Sequence, residues 1–255
     1  MDPTTPYPDV NRVLHQLLQQ ARPILGSQFV GMYLYGSLAL GDFQPGRSDV
    51  DFVVVTEGPL AQETVARLEL LHEELGRGRE KWWRKLEGAY VPRDVLRQHD
   101  EHHPAVPTLN EGRFYQAPLG ADWIIQRHVL REAGVALAGP PPRTLIDPVP
   151  PRAIQGAVRD VLYQWWEPML ADPARLRQPG YQPFAVLSMC RALYTLRTAQ
   201  LASKSQAATW AVDVLPAGWR ALIAHARQWR DGDPIASIER TTAFMRYVME
   251  ESRRS

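Results

Sequence analysis

"LYGSLALGDFQPGRSDVDFVVV", residues Leu34–Val55, is the stretch whose reading decides the fold. An apolar run stops at Gly36-Ser37, a turn-rich segment follows, and a second apolar run, Asp49 to Thr56, opens with aspartates at positions 49 and 51. Side chains of a strand alternate with a period of two, so Asp49 and Asp51 project to the same side. Two carboxylates on one side of an otherwise apolar strand are costly to bury without a positive charge beside them. That charge is a structural arginine or a metal ion; the plain alternative is a pair of solvated aspartates at a strand end. Gly36-Ser37 favours chemistry, because glycine permits close backbone approach and a small hydroxyl can donate to a phosphate oxygen. Carboxylates so placed suit Mg²⁺, which usually binds through a few carboxylates and the phosphates of its substrate.

Outward from this stretch, Asn11 to Leu25 places Val13, Leu14, Leu17 and Leu18 at helical spacing, with Pro23 near the end. Phe29 to Tyr35 and Asp49 to Thr56 read as adjacent strands joined through a short helical turn. Leu60 to Gly78 is a helix with a core stripe of Leu68, Leu71 and Leu75, and Lys81 to Pro92 reads as a third strand. In that strand Lys85, Glu87 and Ala89 share one side, so Glu87 can point toward Asp49 and Asp51, the three carboxylates gathering at one sheet edge. A third carboxylate can complete a metal site or deprotonate a hydroxyl nucleophile, although a surface strand glutamate is common.

From Arg93 to Gly120 the periodicity fades into a polar connection, Asp122 to Glu132 resumes helix, and "GPPPRTLIDPVP" is a rigid, extended crossing. Helical patterns then run over 152–169, 183–201, 206–215, 218–230 and 235–252. The expected organisation is therefore an α/β domain with a small mixed sheet over residues 1–149, followed by an all-helical domain over 150–255. A length of 255 residues accommodates two cores.

Lys+Arg 29 against Asp+Glu 28 gives a formal charge of +1, so no global field argues for nucleic acid or a membrane surface, and any polyanion site must be local. The single cysteine, Cys190, sits in an apolar helical segment and reads as a core thiol. Because the opening residues lack a basic start and apolar core, and no apolar run is long enough to span a bilayer, a soluble, cytoplasmic protein is expected; separately, a monomer is expected. His99, His102 and His103 lie in a loop without a partner at diagnostic spacing and read as solvated. The pairs Trp82-Trp83 and Trp165-Trp166 each place at least one ring in the core, leaving a second free to stack on a planar ligand.

"YGSLALGDFQPGRSDVDFVVV" resembles the signature of the minimal nucleotidyltransferases related to DNA polymerase beta. More narrowly, "VALAGPPPRTLIDPVP" and "RALYTLRTAQLASKSQAATWAVDVLP" resemble the helical domain of the aminoglycoside adenylyltransferases that modify streptomycin and spectinomycin. The likeness implies ATP-dependent adenylyl transfer with two Mg²⁺ ions, an active cleft between the domains, Asp49 and Asp51 as metal ligands, Gly36 and Ser37 as triphosphate contacts, and Glu87 as the base. It also implies that Arg191 and Lys204 reach the ATP phosphates.

The sequence departs from the pattern at one place. In the relatives an acidic cluster precedes the Arg191 helix and meets the cationic drug, whereas here Tyr181 and Gln182 replace that acidic character. The acceptor contacts expected from the remaining residues are Glu87, Asp172, the acidic residues of "DEHHPAVPTLNEGRFY", and the aromatic faces of Tyr115, Trp165, Trp166 and Tyr181. Alternatives are nucleotidyl transfer to another small metabolite, and a non-catalytic nucleotide sensor or interaction module that keeps the fold.

Overall fold

Helix α1 (Pro8–Leu25) begins with proline in its first turn, where an intrahelical N–H is not needed, and buries Val10, Val13, Leu14, Leu17 and Ala21 along one stripe. Strand β1 (Phe29–Leu34), the single turn α2 (Gly36–Ala39) and strand β2 (Val50–Thr56) follow. Helix α3 (Gln62–Gly76) buries Leu68, Leu71, His72 and Leu75. Strand β3 (Leu86–Pro92) leads into the short α4 (Arg93–Arg97), a hairpin of β4 (Val106–Asn110) and β5 (Arg113–Ala117), helix α5 (Asp122–Ala133), strand β6 (Val135–Ala138) and the turn α6 (Pro142–Leu145). The computed structural model describes residues 4–100, 102–230, 232–233 and 237–254.

The chain divides into two compact units, Met1–Val149 and Pro150–Ser255. The first holds a six-stranded mixed sheet in the order β5-β4-β3-β2-β1-β6, in which β2 and β3 are parallel and the other neighbours antiparallel. Strand alternation sends Met32, Leu34, Phe52, Val54, Leu86 and Tyr90 to a core shared with α1, α3, Trp82 and Trp83. Tyr33, Tyr35, Val53, Val55, Ala89 and Val91 go to the opposite core, closed by Val95, Leu96, Trp123 and Leu130. With both faces covered, β2 and β3 read as near-continuous apolar runs. His72 Nε2 lies 2.8 Å from the Tyr90 hydroxyl inside the first core, and burial lowers the His72 pKa from 6.5 to about 4, so the ring is a neutral structural partner.

The second unit is helical: α7 (Pro151–Val161), a π-turn at Leu162–Trp166, α8 (Pro168–Ala171), a 3₁₀ turn at Pro173–Arg177, α9 (Tyr181–Thr198), α10 (Lys204–Val214), α11 (Arg220–Gln228) and α12 (Ile238–Arg254). Helix α9 is its axis. It packs against α7, α10, α11 and α12, and Ala185 through Cys190 are buried consecutively, the signature of a helix apolar all round. Cys190 is a core thiol whose pKa burial raises to about 12. Among the described residues no helix is long and apolar enough to cross a membrane.

Four expectations need correction. Lys81–Lys85 forms a 3₁₀ turn rather than strand, and this lets the consecutive Trp82 and Trp83 both pack into the same core, whereas strand alternation would send them to opposite faces of the sheet. The supposed polar connection carries the β4–β5 hairpin, closed by Glu111 and Gly112, both at positive φ as a two-residue hairpin turn demands. The extended crossing contains the helical turn α6. Finally, β2 and β3 are interior strands, so Asp51 and Glu87 stand at a strand end and not at a sheet edge. The expected start of the last helix, Ile235, lies outside the described residues.

Candidate active site

In the parallel β2–β3 ladder, Asp51 is in register with Glu87. Val53, Val55, Ala89 and Val91 share one core, so by alternation Asp51 and Glu87 lie on that same face, two residues nearer the strand ends. Tyr35 continues the array from β1: its backbone N–H donates to the Asp51 carbonyl at 3.2 Å, and its ring packs against Trp123 of α5, centroids 6.3 Å apart. Asp49 stands just before β2, where Lys85 Nζ donates to its Oδ1 at 3.0 Å. Within this chain, therefore, the positive charge beside the aspartate pair includes a lysine. Both partners of this ion pair are about 40% exposed (39% and 41%), which limits its worth to about 1 kcal/mol at most.

The electrostatics are dominated by carboxylates. Glu87 is raised from 4.5 to about 7, first by burial and then by Asp49, Asp51 and Glu111, while Lys85 partly offsets them. The Tyr35 hydroxyl is held well above its ordinary range by burial and by Asp51, Asp122 and Glu87. Asp122, at the start of α5, is itself raised by burial even though Gln126 Nε2 donates to its Oδ2 at 2.7 Å. Glu111 is one of the acidic residues of the "DEHHPAVPTLNEGRFY" segment expected to meet the acceptor, and its charge acts on Glu87, whereas Tyr35 and Asp122 were not singled out in the sequence. Tyr35 is inside the quoted signature, but nothing in the local pattern separates a site tyrosine from a core one. Glu111 and Asp122 reach the site through a hairpin and a helix start whose long-range placement no spacing encodes.

Among the described residues, no three His, Cys, Asp or Glu side chains are grouped so as to hold a metal ion by themselves. A magnesium ion does not require such a group, because it is commonly held by one or two carboxylates and by substrate phosphates. Burial is the largest cause of the raised Glu87 pKa, and the repulsion from Asp49, Asp51 and Glu111 that adds to it is a field a cation relieves, so the donor set fits a divalent ion.

Gly36 is held at φ +62°, and a Cβ built there would lie 1.9 Å from Asp51 Oδ2. The glycine is thus required twice, by backbone conformation and by the closeness of the carboxylate. Gly36→Ala is expected to lower turnover about tenfold or more and to destabilise the first unit by about 1–3 kcal/mol. Steady-state kinetics with thermal unfolding check this; parent values for both would show that the turn relaxes freely. Ser37 follows in α2, its carbonyl accepting from Asp42 N–H at 2.9 Å.

The remaining sequence candidates sit in local settings of their own. Tyr115 is on the edge strand β5, 44% exposed, opposite Thr108. Trp165 is 48% exposed with the Arg175 guanidinium 5.0 Å above its ring, whereas Trp166 is buried against Tyr181 and Phe184. Asp172 caps the turn at 173–177, its Oδ1 accepting from Ala174 N–H at 3.1 Å. Tyr181 opens α9, and its buried hydroxyl has no hydrogen-bond partner among the described residues. Arg191 is partly buried on α9. Lys204 is the first residue of α10, behind a capping box of Ser203 and Gln206, with its ammonium 4.3 Å above the Phe184 ring. In the "DEHHPAVPTLNEGRFY" segment, Asp100 accepts from the His102 backbone N–H at 2.9 Å, and Glu101 lies outside the described residues.

Residues 144–251 match the family model of the aminoglycoside adenylyltransferase C-terminal domain, and residues 18–98 match that of the nucleotidyltransferase domain. The chain is 30% identical over 258 residues to an aminoglycoside (3'') (9) adenylyltransferase of Shigella flexneri, with 95% of each chain covered. It is 31% identical over 237 residues to a protein of the same description from Klebsiella pneumoniae, with 87% of each covered. Among solved structures, a spectinomycin adenyltransferase AAD(9) from Enterococcus faecialis with ATP and spectinomycin has the same fold, at TM-score 0.77 and 18% identity over 95% of this chain and 98% of that one.

Proposed function

From the premise that the chain belongs to the aminoglycoside adenylyltransferase family, and is therefore a nucleotidyltransferase, we propose that it transfers an adenylyl group from ATP to a hydroxyl of streptomycin, spectinomycin or both. The observation that carries the reading is the pairing of Asp51 with Glu87 across neighbouring strands, with Glu87 raised to about 7. A carboxylate with that pKa accepts a proton near neutral pH and is well matched to general-base work.

In the proposed reaction Glu87 takes the proton of the acceptor hydroxyl as its oxygen attacks the α-phosphorus of ATP. The bond from that phosphorus to the bridging oxygen breaks, and pyrophosphate leaves with the electron pair. Asp49 and Asp51 would hold Mg²⁺, two ions being expected with ATP, and bound metal would supply charge neutralisation at phosphorus and the leaving group. Gly36 and Ser37 approach the triphosphate, and Arg191 and Lys204 contribute positive charge to it. In this reading residues 1–149 form the nucleotidyltransferase domain and 150–255 the helical domain that recognises ATP and acceptor, and the protein acts as a cytoplasmic monomer. Glu87, Asp172, Tyr115, Trp165, Trp166 and Tyr181 are proposed to meet the acceptor.

A second acceptor class is favoured by one observation: the first turn of α9 contains no acidic residue and begins with Tyr181 and Gln182. Gln182 is buried, donating to the Leu176 carbonyl and accepting from the Thr241 hydroxyl, so this turn supplies no negative charge to a cationic drug, and a less cationic metabolite would not need it. Incubating the protein with each NTP and a panel of aminocyclitols, followed by mass analysis of the acceptor, separates the two. A mass gain of one adenylyl group on streptomycin or spectinomycin is expected, and none on any panel member would remove the antibiotic assignment.

Asp172 gives a narrower test. Asparagine caps a turn as well as aspartate, so Asp172→Asn removes charge while keeping the Ala174 hydrogen bond. Streptomycin, which carries two guanidinium groups, is expected to lose about fivefold or more in kcat/KM, and spectinomycin less. Equal small changes for both drugs would exclude Asp172 from acceptor binding.

A further inference from the structure

Lysine is a poor choice for the first turn of a helix, where the macrodipole already concentrates positive charge. Lys204 nevertheless occupies the first position of α10, and that turn has no acidic residue to balance it. The structure provides a compensating group from a different helix: Phe184, one turn into α9, lies with its ring 4.3 Å beneath the Lys204 ammonium. The ring is fixed from behind by Trp166 at 5.4 Å and Tyr181 at 5.5 Å between centroids. Phe184 is nevertheless 36% exposed, so it is a large apolar side chain kept at the surface on a rigid aromatic base. Burial does not account for this placement, whereas the favourable interaction of a cation with an aromatic face does.

We propose that Phe184 is a positioning residue for nucleotide binding: its ring holds the Lys204 ammonium at the N-terminus of α10, oriented for the ATP phosphates before ATP arrives. The inference rests on the reading of Lys204 as a phosphate contact and adds what sets its position. A flexible lysine has high rotamer entropy, and a preformed contact reduces what is lost when the anion binds. The effect falls on ATP affinity and not on the acceptor, because the ring acts through the ammonium. Tyrosine presents the same aromatic face and preserves the function, whereas leucine keeps the apolar bulk and loses the quadrupole.

The test is calorimetric binding of Mg²⁺-ATP, and separately of streptomycin and spectinomycin, to the full chain and to F184L, F184Y, K204M and the double variant F184L/K204M. F184L is expected to weaken ATP about three- to fivefold, F184Y to remain within about twofold of the parent, and F184L added to K204M to change ATP affinity by less than about twofold. The affinity of either drug should be unchanged by F184L. An equal loss from F184L with and without Lys204, a failure of tyrosine to restore affinity, or a loss confined to the drugs would overturn the proposal. If K204M weakens ATP but F184L does not, the positioning role falls while the phosphate role of Lys204 stands; if K204M leaves ATP affinity unchanged, both fall.

Discussion

Asp49→Asn and Asp51→Asn are each expected to lower adenylyl transfer by about 10³-fold or more at saturating Mg²⁺ and ATP, with the fold intact. Each substitution keeps shape and removes one negative charge from a site whose proposed work is to hold a cation against triphosphate oxygens. The structure indicates why folding should tolerate the change. Asp49 gives up only a half-exposed ion pair with Lys85, and loss of charge at either aspartate relieves the repulsion on Glu87. Activity and stability should therefore move apart, with thermal midpoints within a few degrees of the parent or above it. Turnover near the parent level in either purified variant would remove that residue from the metal ligands. A large drop in the unfolding midpoint in parallel with activity would assign the pair to structure instead.

The parts of this site visible in the sequence are those governed by local alternation. The i, i+2 spacing of Asp49 and Asp51 and the parity of Glu87 within its strand follow from a period of two, and the apolar runs around them identify interior strands. Edge strands were harder to see for a physical reason. β5 buries no side chain fully and β6 spans only Val135–Ala138, so neither shows the apolar alternation that burial on a sheet imposes. Pro107 inside β4 further obscured the hairpin; β4 lies between β5 and β3, but its register with β3 covers only Thr108 and Leu109, so Pro107 is unpaired on that side. The consequence for the site is direct: Glu111 comes from the turn of that hairpin, so although its segment is among the acceptor candidates, its effect on Glu87 could not be read as long as the hairpin was hidden. Asp122 was hidden for the complementary reason, since its proximity to Tyr35 depends on how α5 packs on the sheet and leaves no periodic trace.

Glu87→Gln separates the chemical step from binding and from stability. As the proposed base, Glu87 acts in the transition state, so its amide should lower kcat by about 10²-fold or more with little change in ATP affinity measured by calorimetry. In the free enzyme the base must be ionised, and with a pKa of about 7 the parent's kcat/KM is expected to rise through neutral pH, a limb the Gln variant should lack. Stability moves in the opposite sense. A carboxyl whose folded pKa is raised contributes fully below its unfolded pKa, and this contribution is lost as pH increases through the folded value. In metal-free buffer with chelator, the parent should therefore lose stability between the ordinary glutamate value of 4.5 and about 7, while the Gln variant does not lose that increment. The two proteins should unfold at similar temperatures at pH 4, and at pH 8 the variant should be higher by about 3–6 °C. Lost ATP binding with normal turnover at saturating ATP would make Glu87 a ground-state contact, and an equal midpoint at pH 8 would show that the crowded carboxylates are relieved by something other than a proton. The combination of a catalytically crippled and alkaline-stabilised variant is the distinguishing result, because a merely structural glutamate would lose stability on substitution and a well-solvated one would change neither quantity.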